Sequence, residues 1–222
     1  MSDEPSQTDN ATKIGVLGSG HVGQTVARGL AVEGHAVKIG SRGGDKLAEF
    51  SKASGISEGP FAEVAAEAEV VLLAVKGGVA ESLVRELAPL LAGKVVLDTT
   101  NPIADVAPKD GVLQYFTAAN ESLLQRLQAA VPEAKFVKFF NSVGAGLMVH
   151  PKLPGGTPTM FICGDDEGAR AVAATVAGQL GWNVEDVGSG AAGHAVEALC
   201  QLWCAPGMRR NDWAHAYAVL RP

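Results

Sequence analysis

Cysteine is scarce: Cys163, Cys200 and Cys204 are the only three in 222 residues. An odd count without framework spacing excludes a disulfide-stapled secreted scaffold. Cys200 and Cys204 are four apart and would share a helical face. A zinc pair would need further ligands, and only His194 is close in sequence, so two small apolar core residues is the simpler reading. No metal site is expected. Tyrosine is scarcer still, at two. A Tyr-x-x-x-Lys pair is absent, because Tyr115 is followed by Ala119 and Tyr217 by Arg221. Positive charge is also in deficit, with 18 Lys and Arg against 24 Asp and Glu, a net charge of -6. That balance argues against a nucleic-acid partner, though not against a local basic pocket. No run of eighteen apolar residues occurs, so no transmembrane helix and no membrane partner are expected. Residues 1–12 lack a basic start and an apolar stretch. They read as a disordered tail and not as a signal peptide, and a cytoplasmic protein is expected.

Hydrophobic residues make up 47% of the chain, enough for a sizeable core. From residue 13 onward, strand-like and helix-like segments alternate. Strands are expected at 13–17, 35–39, 69–75, 94–98 and 135–140, and the run Val70-Val71-Leu72-Leu73 suits a strand covered on both faces. Helices are expected at 22–33, 45–54, 61–68, 79–91 and 121–130. This alternation predicts an α/β fold, a Rossmann-type doubly wound parallel sheet over 13–142. After about residue 143 the pattern changes. Strands at 159–163 and 183–187, a helix over 166–180 capped by Asp165, and an apolar helix over 191–204 predict a smaller C-terminal α/β region, 143–222, ending in helices.

The chemistry-bearing motif is Gly18-Ser19-Gly20-His21-Val22-Gly23, a G-x-G-x-x-G between a strand and a helix. Gly18 permits the tight turn, Gly20 lets backbone approach a pyrophosphate, and Gly23 lets helix and strand pack closely. The helix N-terminus adds free N–H groups and a positive dipole end. The second strand ends in Gly40-Ser41-Arg42, where an NAD-binding chain would carry an acid for the ribose 2′-hydroxyl. Ser41 can donate a hydrogen bond, Arg42 can clamp a 2′-phosphate, and Lys46 adds charge one helical turn later. NADP(H) is therefore favoured over NAD(H).

Ligands of open α/β sheets bind beyond the C-terminal ends of the strands. That rule nominates Ala74-Val75-Lys76-Gly77, Asn101-Pro102 and Asn141-Ser142-Val143-Gly144. Asn101 and Asn141 can orient a carboxamide or a substrate carbonyl, or cap their turns. Lys76 can reach a ribose or solvent. His21 sits within the phosphate loop. His194 opens the last helix, where it is either a general acid or a structural hydrogen-bonder.

Together these residues resemble the F420H2:NADP oxidoreductase family, small NADPH-dependent reductases to which the reductase domain of the STEAP metalloreductases is more distantly related. The resemblance rests on Ile14–Gly23, Ile39-Gly40-Ser41-Arg42, Asp98-Thr99-Thr100-Asn101-Pro102, Lys138-Phe139-Phe140-Asn141-Ser142-Val143-Gly144 and Pro158–Asp166. It implies that Gly18–Gly23 hold pyrophosphate, that Ser41, Arg42 and Lys46 hold the 2′-phosphate, and that backbone near Val75 and Gly144 contacts the nicotinamide. It also implies F420 or a flavin as second substrate, against the C-terminal region, and a homodimer packed through that region. Hydride would pass directly between stacked rings, so no side-chain acid or base is obligatory.

Hydroxyacid dehydrogenases and pyrroline-5-carboxylate reductases share this Rossmann half but continue into a long all-helical domain, which the strand-like 159–163 and the short remainder oppose. The expected partner is a small-molecule redox acceptor. A protein that senses NADPH without turnover is the alternative, since hydride transfer leaves no triad to find.

Overall fold

The computed structural model describes residues 11–43 and 45–222. The expected disordered tail falls mainly on residues 1–10, which lie outside the described residues. The first half runs β1 (Lys13–Leu17), α1 (His21–Val32), β2 (Ala36–Ser41), α2 (Ala48–Ser54), β3 (Ser57–Pro60), α3 (Phe61–Glu67), β4 (Val70–Leu73), α4 (Gly77–Glu86), α5 (Ala88–Leu91) and β5 (Val95–Asp98). The second half runs α6 (Leu123–Ala130), β6 (Lys135–Lys138), β7 (Thr159–Ile162), α7 (Glu167–Gln179), β8 (Asn183–Asp186) and α8 (Gly193–Arg210). Six strands form one all-parallel sheet in the order β3-β2-β1-β4-β5-β6. This is the Rossmann order, with its switch point between β1 and β4. The α/β, doubly wound expectation holds.

Burial on both faces explains the strand sequences. All four residues of β4 are buried, as are Ile14, Val16 and Leu17 of β1. One face carries α1 and α7, whose Val26, Leu30, Ala173 and Val176 share a core with Val16, Leu72, Leu97 and Val137. The other carries α3, α4, α6 and α8, whose Val64, Leu83, Leu124 and Val196 share a core with Leu17, Val71, Val96 and Phe136. Residues after 143 thus help to cover both faces. β7 and β8 pair in parallel, and a single antiparallel bridge between Lys138 and Cys163 joins β7 to β6. No helix among the described residues is long and apolar enough to cross a membrane.

One strand was not anticipated and three local expectations need correction. The edge strand β3, Ser-Glu-Gly-Pro, has no apolar residue to signal it and forms by pairing with β2 alone. The helix expected over 79–91 begins at Gly77 and divides at Leu87, ahead of Pro89, which stands at the start of α5. Asp166, and not Asp165, caps α7 by accepting from Ala169 N at 2.7 Å. Asp165 instead accepts from Gly190 N at 2.8 Å. Finally, α8 runs on to Arg210 through Pro206, and Asn211 closes it at φ 54°.

Candidate functional site

The turn between β1 and α1 is set by steric necessity. Gly18 has φ +149°, and a Cβ there would overlap the Ala74 carbonyl. Gly23 packs on the Gly18 carbonyl in the same way. Gly20 is different: it is exposed, and a Cβ there would meet no protein atom within 4 Å. It is the N-cap of α1, with no side-chain cap and no acidic residue in the first turn. The N–H groups of His21, Val22 and Gly23 open the helix, where unpaired donors and the helix dipole favour an anion. Gln24 Nε2 donates to Ser19 O at 2.9 Å and fixes the outer side of the loop. His21 is exposed and Val22 half-buried.

This loop lies beside the end of β2, since Gly18 N donates to Gly40 O at 3.2 Å. Ser41 is buried, and its Oγ accepts from Gly43 N at 3.3 Å. Arg42 and Lys46 are exposed. On the other side, Ala74 N donates to Leu17 O at 2.9 Å, so Ala74 and Val75 leave β4 next to the turn between β1 and α1. Lys76 is exposed and is the N-cap of α4.

The next two strand ends meet each other. Asn101 Nδ2 donates to Asn141 O at 2.8 Å, and Asn141 Nδ2 donates to Asn101 Oδ1 at 3.2 Å and to Val196 O at 2.9 Å. Asn141 is buried at 3% exposure, yet its Oδ1 has no hydrogen-bond partner. An unpaired buried acceptor is costly, which makes it a position for a donor brought by a ligand. Pro102 is buried, and its carbonyl accepts from Phe116 N at 2.9 Å. Gly144 faces Trp203 of α8, whose Cη2 lies 2.8 Å from where a Cβ would stand. Trp203 in turn stacks on His215, with centroids 5.2 Å apart, and donates from Nε1 to His215 O at 2.8 Å. The chain after α8 therefore folds back onto the helix beside the Gly144 loop. His194 pairs its Nδ1 with Ala191 O at 3.1 Å, within its own helix start.

Directly below the two Asn residues lies a group that sequence reasoning missed. Asp98 ends β5 and Lys138 ends β6, and both are fully buried, as is Glu197 of α8. Lys138 Nζ donates to Asp98 Oδ2 at 2.6 Å and to Thr100 O at 2.9 Å, and pairs with Glu197 Oε1 at 2.8 Å. Burial pulls the Lys138 pKa down, but the Asp98 and Glu197 charges outweigh it and hold the ammonium above its ordinary value. Glu197 also accepts from Leu123 N at 2.9 Å and Leu124 N at 3.0 Å, capping α6. The signal was present: a lysine inside Phe136-Val137-Lys138-Phe139-Phe140 is a charge that an apolar run can bury only with a partner. Cys200 and Cys204 do share a face of α8, with sulfurs 4.0 Å apart. Among the described residues, no group of three or more His, Cys, Asp or Glu could hold a metal.

A family model described as NADP oxidoreductase, coenzyme F420-dependent, matches residues 13–102. A candidate F420-dependent NADP-reductase from Arthrobacter sp. FB24 has 31% identity and a TM-score of 0.87, covering 95% of this chain and 100% of that one. The chain belongs to this F420-dependent NADP oxidoreductase family. That family is one of NAD(P)-dependent oxidoreductases. The metalloreductase STEAP3 of Rattus norvegicus is 31% identical over 191 residues, 85% of this chain. The chain spans 36% of that relative's length. The 3-hydroxyisobutyrate dehydrogenase of Mycobacterium tuberculosis, at 17% identity and a TM-score of 0.62, shares the fold over 85% of this chain and 58% of its own.

Proposed function

We propose that the protein is an NADPH-dependent reductase that passes hydride between the nicotinamide and a deazaflavin or flavin, in the manner the family description names. The observation that supports the cofactor half is the Gly18 N–Gly40 O contact, which brings the turn before α1 against the end of β2, the strand that closes on Ser41 ahead of Arg42 and Lys46. Gly20 leaves its side of the turn clear of protein atoms, which fits a pyrophosphate pressed against backbone. A planar guanidinium and a lysine at the strand end suit a doubly charged 2′-phosphate, which an acid there would repel.

Each strand-end residue has a distinct task in this reading. His21, Val22 and Gly23 present backbone N–H groups, and Gly18 and Ser19 shape the turn. Ala74 and Val75 form the wall next to β4, with Lys76 reaching outward. Asn101 holds Asn141 by a reciprocal pair of bonds, and Asn141 Oδ1 accepts from the carboxamide N–H. Pro102 and Gly144 supply apolar backbone surface. Bound nicotinamide supplies the hydride donor or acceptor carbon. The residues around it bind, orient and exclude water, and no side-chain proton carrier is required. His194, tied to Ala191 O, is a helix-start hydrogen-bonder here. Residues 143–222 supply the acceptor side of the cleft and the contacts of a homodimer.

The test is titration of the full chain with NADPH and NADH, then nicotinamide absorbance with F420, FMN, FAD, ferric chelates and quinones as acceptors. Turnover with F420 or a flavin is the expected result. Tight NADPH binding with no turnover on any acceptor would favour a sensor.

A further inference from the structure

The Asp98–Lys138–Glu197 cluster carries two carboxylates and one ammonium in a place with no solvent. Asp98 Oδ1 faces Thr100 N at 2.9 Å and the Thr100 hydroxyl at 2.6 Å, and its Oδ2 faces Lys138 Nζ. Glu197 Oε1 faces Lys138 Nζ and Leu124 N, and Oε2 faces Leu123 N. These bonds engage each side chain with backbone N–H groups, a hydroxyl or an ammonium, and the cluster counts two carboxylates against one ammonium. One buried negative charge is left over. The N-terminus of α6 offsets part of it through its dipole, and only part, since that end is worth about half a unit.

The neighbours do not neutralise the remainder. Burial pushes the Cys163 thiol up to about 12 against the opposing pull of the Lys138 charge, so it is neutral at neutral pH. The Tyr115 hydroxyl is raised by burial and donates to Glu197 O at 2.7 Å. Asn141, which bonds to Val196 O one residue before Glu197, adds an unpaired carbonyl oxygen to the same floor. An uncompensated buried charge is expensive. The open side here is the pair of strand ends after β5 and β6.

We propose that the Asp98–Lys138–Glu197 cluster sets the hydride-donor strength of the bound nicotinamide, its net negative charge favouring the oxidised pyridinium form over the neutral reduced form. This rests on the cofactor reading above. A group that binds the oxidised form better lowers the potential of the bound couple, by linkage, and makes the bound reduced form the stronger donor. The cluster touches neither ring nor substrate; it acts through charge and through the strand ends it holds.

The test is the ratio of two dissociation constants, Kd for NADP+ over Kd for NADPH, by calorimetry on the full chain and on Glu197→Gln and Asp98→Asn. Each variant removes one unit of negative charge. The ratio is expected to rise by about 5- to 15-fold in each, the scale of one unit charge acting through partly screened protein. A merely structural role would weaken both ligands by one factor, and an unchanged ratio in a folded variant overturns the proposal. Should neither variant fold, the wild-type chain decides. Tighter binding of NADP+ than of NADPH is then the required result, and the reverse order overturns it. Absence of any NADP(H) binding by the wild type would sink the cofactor reading as well, which separates the two failures.

Discussion

Replacing Arg42 with alanine removes one guanidinium from the exposed end of β2 and leaves the strand itself intact, since its buried residues are Ile39, Gly40 and Ser41. Stability should therefore stay within about 0.5 kcal/mol of wild type, as for surface substitutions generally. The loss should appear in binding. A hydrogen bond to a charged group is worth about 1.5–3 kcal/mol. Arg42 is exposed, so solvent screening places it at the low end, about 1.5 kcal/mol, or roughly tenfold in Kd. Lys46, also exposed one turn on, should retain part of the phosphate affinity, and Arg42→Ala with Lys46→Ala should lose more than either alone. NADH lacks the 2′-phosphate and should bind the variant as it binds wild type. The assay is calorimetric titration with both cofactors at low salt and at about 1 M, where a Debye length near 3 Å should erase most of the difference. Equal loss for NADPH and NADH, or a penalty indifferent to salt, would refute the 2′-phosphate assignment.

Other perturbations separate shape from charge. Gly20→Ala should leave the thermal midpoint unchanged, because nothing in the protein lies within 4 Å of the new Cβ, yet weaken dinucleotide binding about tenfold or more. Wild-type affinity in that variant would show that no ligand backbone presses there. Gly18→Ala should instead destabilise the fold, by at least about 1 kcal/mol, since φ is +149° and the Cβ would overlap the Ala74 carbonyl. Denaturant midpoints compare the two. Lys138→Met leaves two buried carboxylates unpaired and should cost about 3–5 kcal/mol in urea unfolding. Bidentate bonds from Arg126, with help from Ala118 N–H, hold the exposed Glu121 carboxyl at about 2, below its ordinary 4.5. A depressed carboxylate stabilises above its unfolded value, and that contribution is lost as pH falls from about 4.5 towards 2. Arg126→Ala should flatten the thermal midpoint against pH across that window.

The fold was readable where burial leaves a pattern and unreadable where it does not. β1, β4 and β5 are apolar because helices cover both faces, so their positions follow from hydrophobic runs alone. β3 sits at the sheet edge, is made of Ser, Glu, Gly and Pro, and exists through backbone pairing with β2, which no single segment encodes. The turn between β1 and α1 was legible because Gly18 and Gly23 answer local requirements of turn and close packing. The Asn101–Asn141 pair was half legible: each residue stood at a strand end, but their mutual bonding needs β5 and β6 to be adjacent. Glu197 was the least visible. It lies in α8, 59 positions after Lys138 by their numbering, and only the return of that helix to the strand ends brings the two charges together.

Taken across the sheet, the strand ends are not electrically uniform. The order β2-β1-β4-β5-β6 puts Arg42 and the α1 N-terminus towards one side and the Asp98–Lys138–Glu197 cluster towards the other. With neighbouring strands about 4.8 Å apart, β2 and β5 stand roughly 14 Å from one another. Three strand spacings separate a positive end from a negative floor. Oxidised NADP is polarised in the same sense, with phosphates at its adenosine end and a pyridinium at the other. Reduction removes only the pyridinium charge and leaves the phosphate end as it was. In the proposed reading, Arg42 and the α1 N-terminus therefore hold both redox forms alike and set total affinity, while the buried cluster alone distinguishes them. The two sets of variants should consequently act independently: Arg42→Ala should weaken NADP+ and NADPH by the same factor, and Glu197→Gln should change their ratio. Their combination should add in free energy, because three strand spacings exceed the distance at which substitutions ordinarily couple. A ratio that moved with Arg42 would mean that the two ends are coupled through the sheet, and that the cluster is not the element that reads the oxidation state.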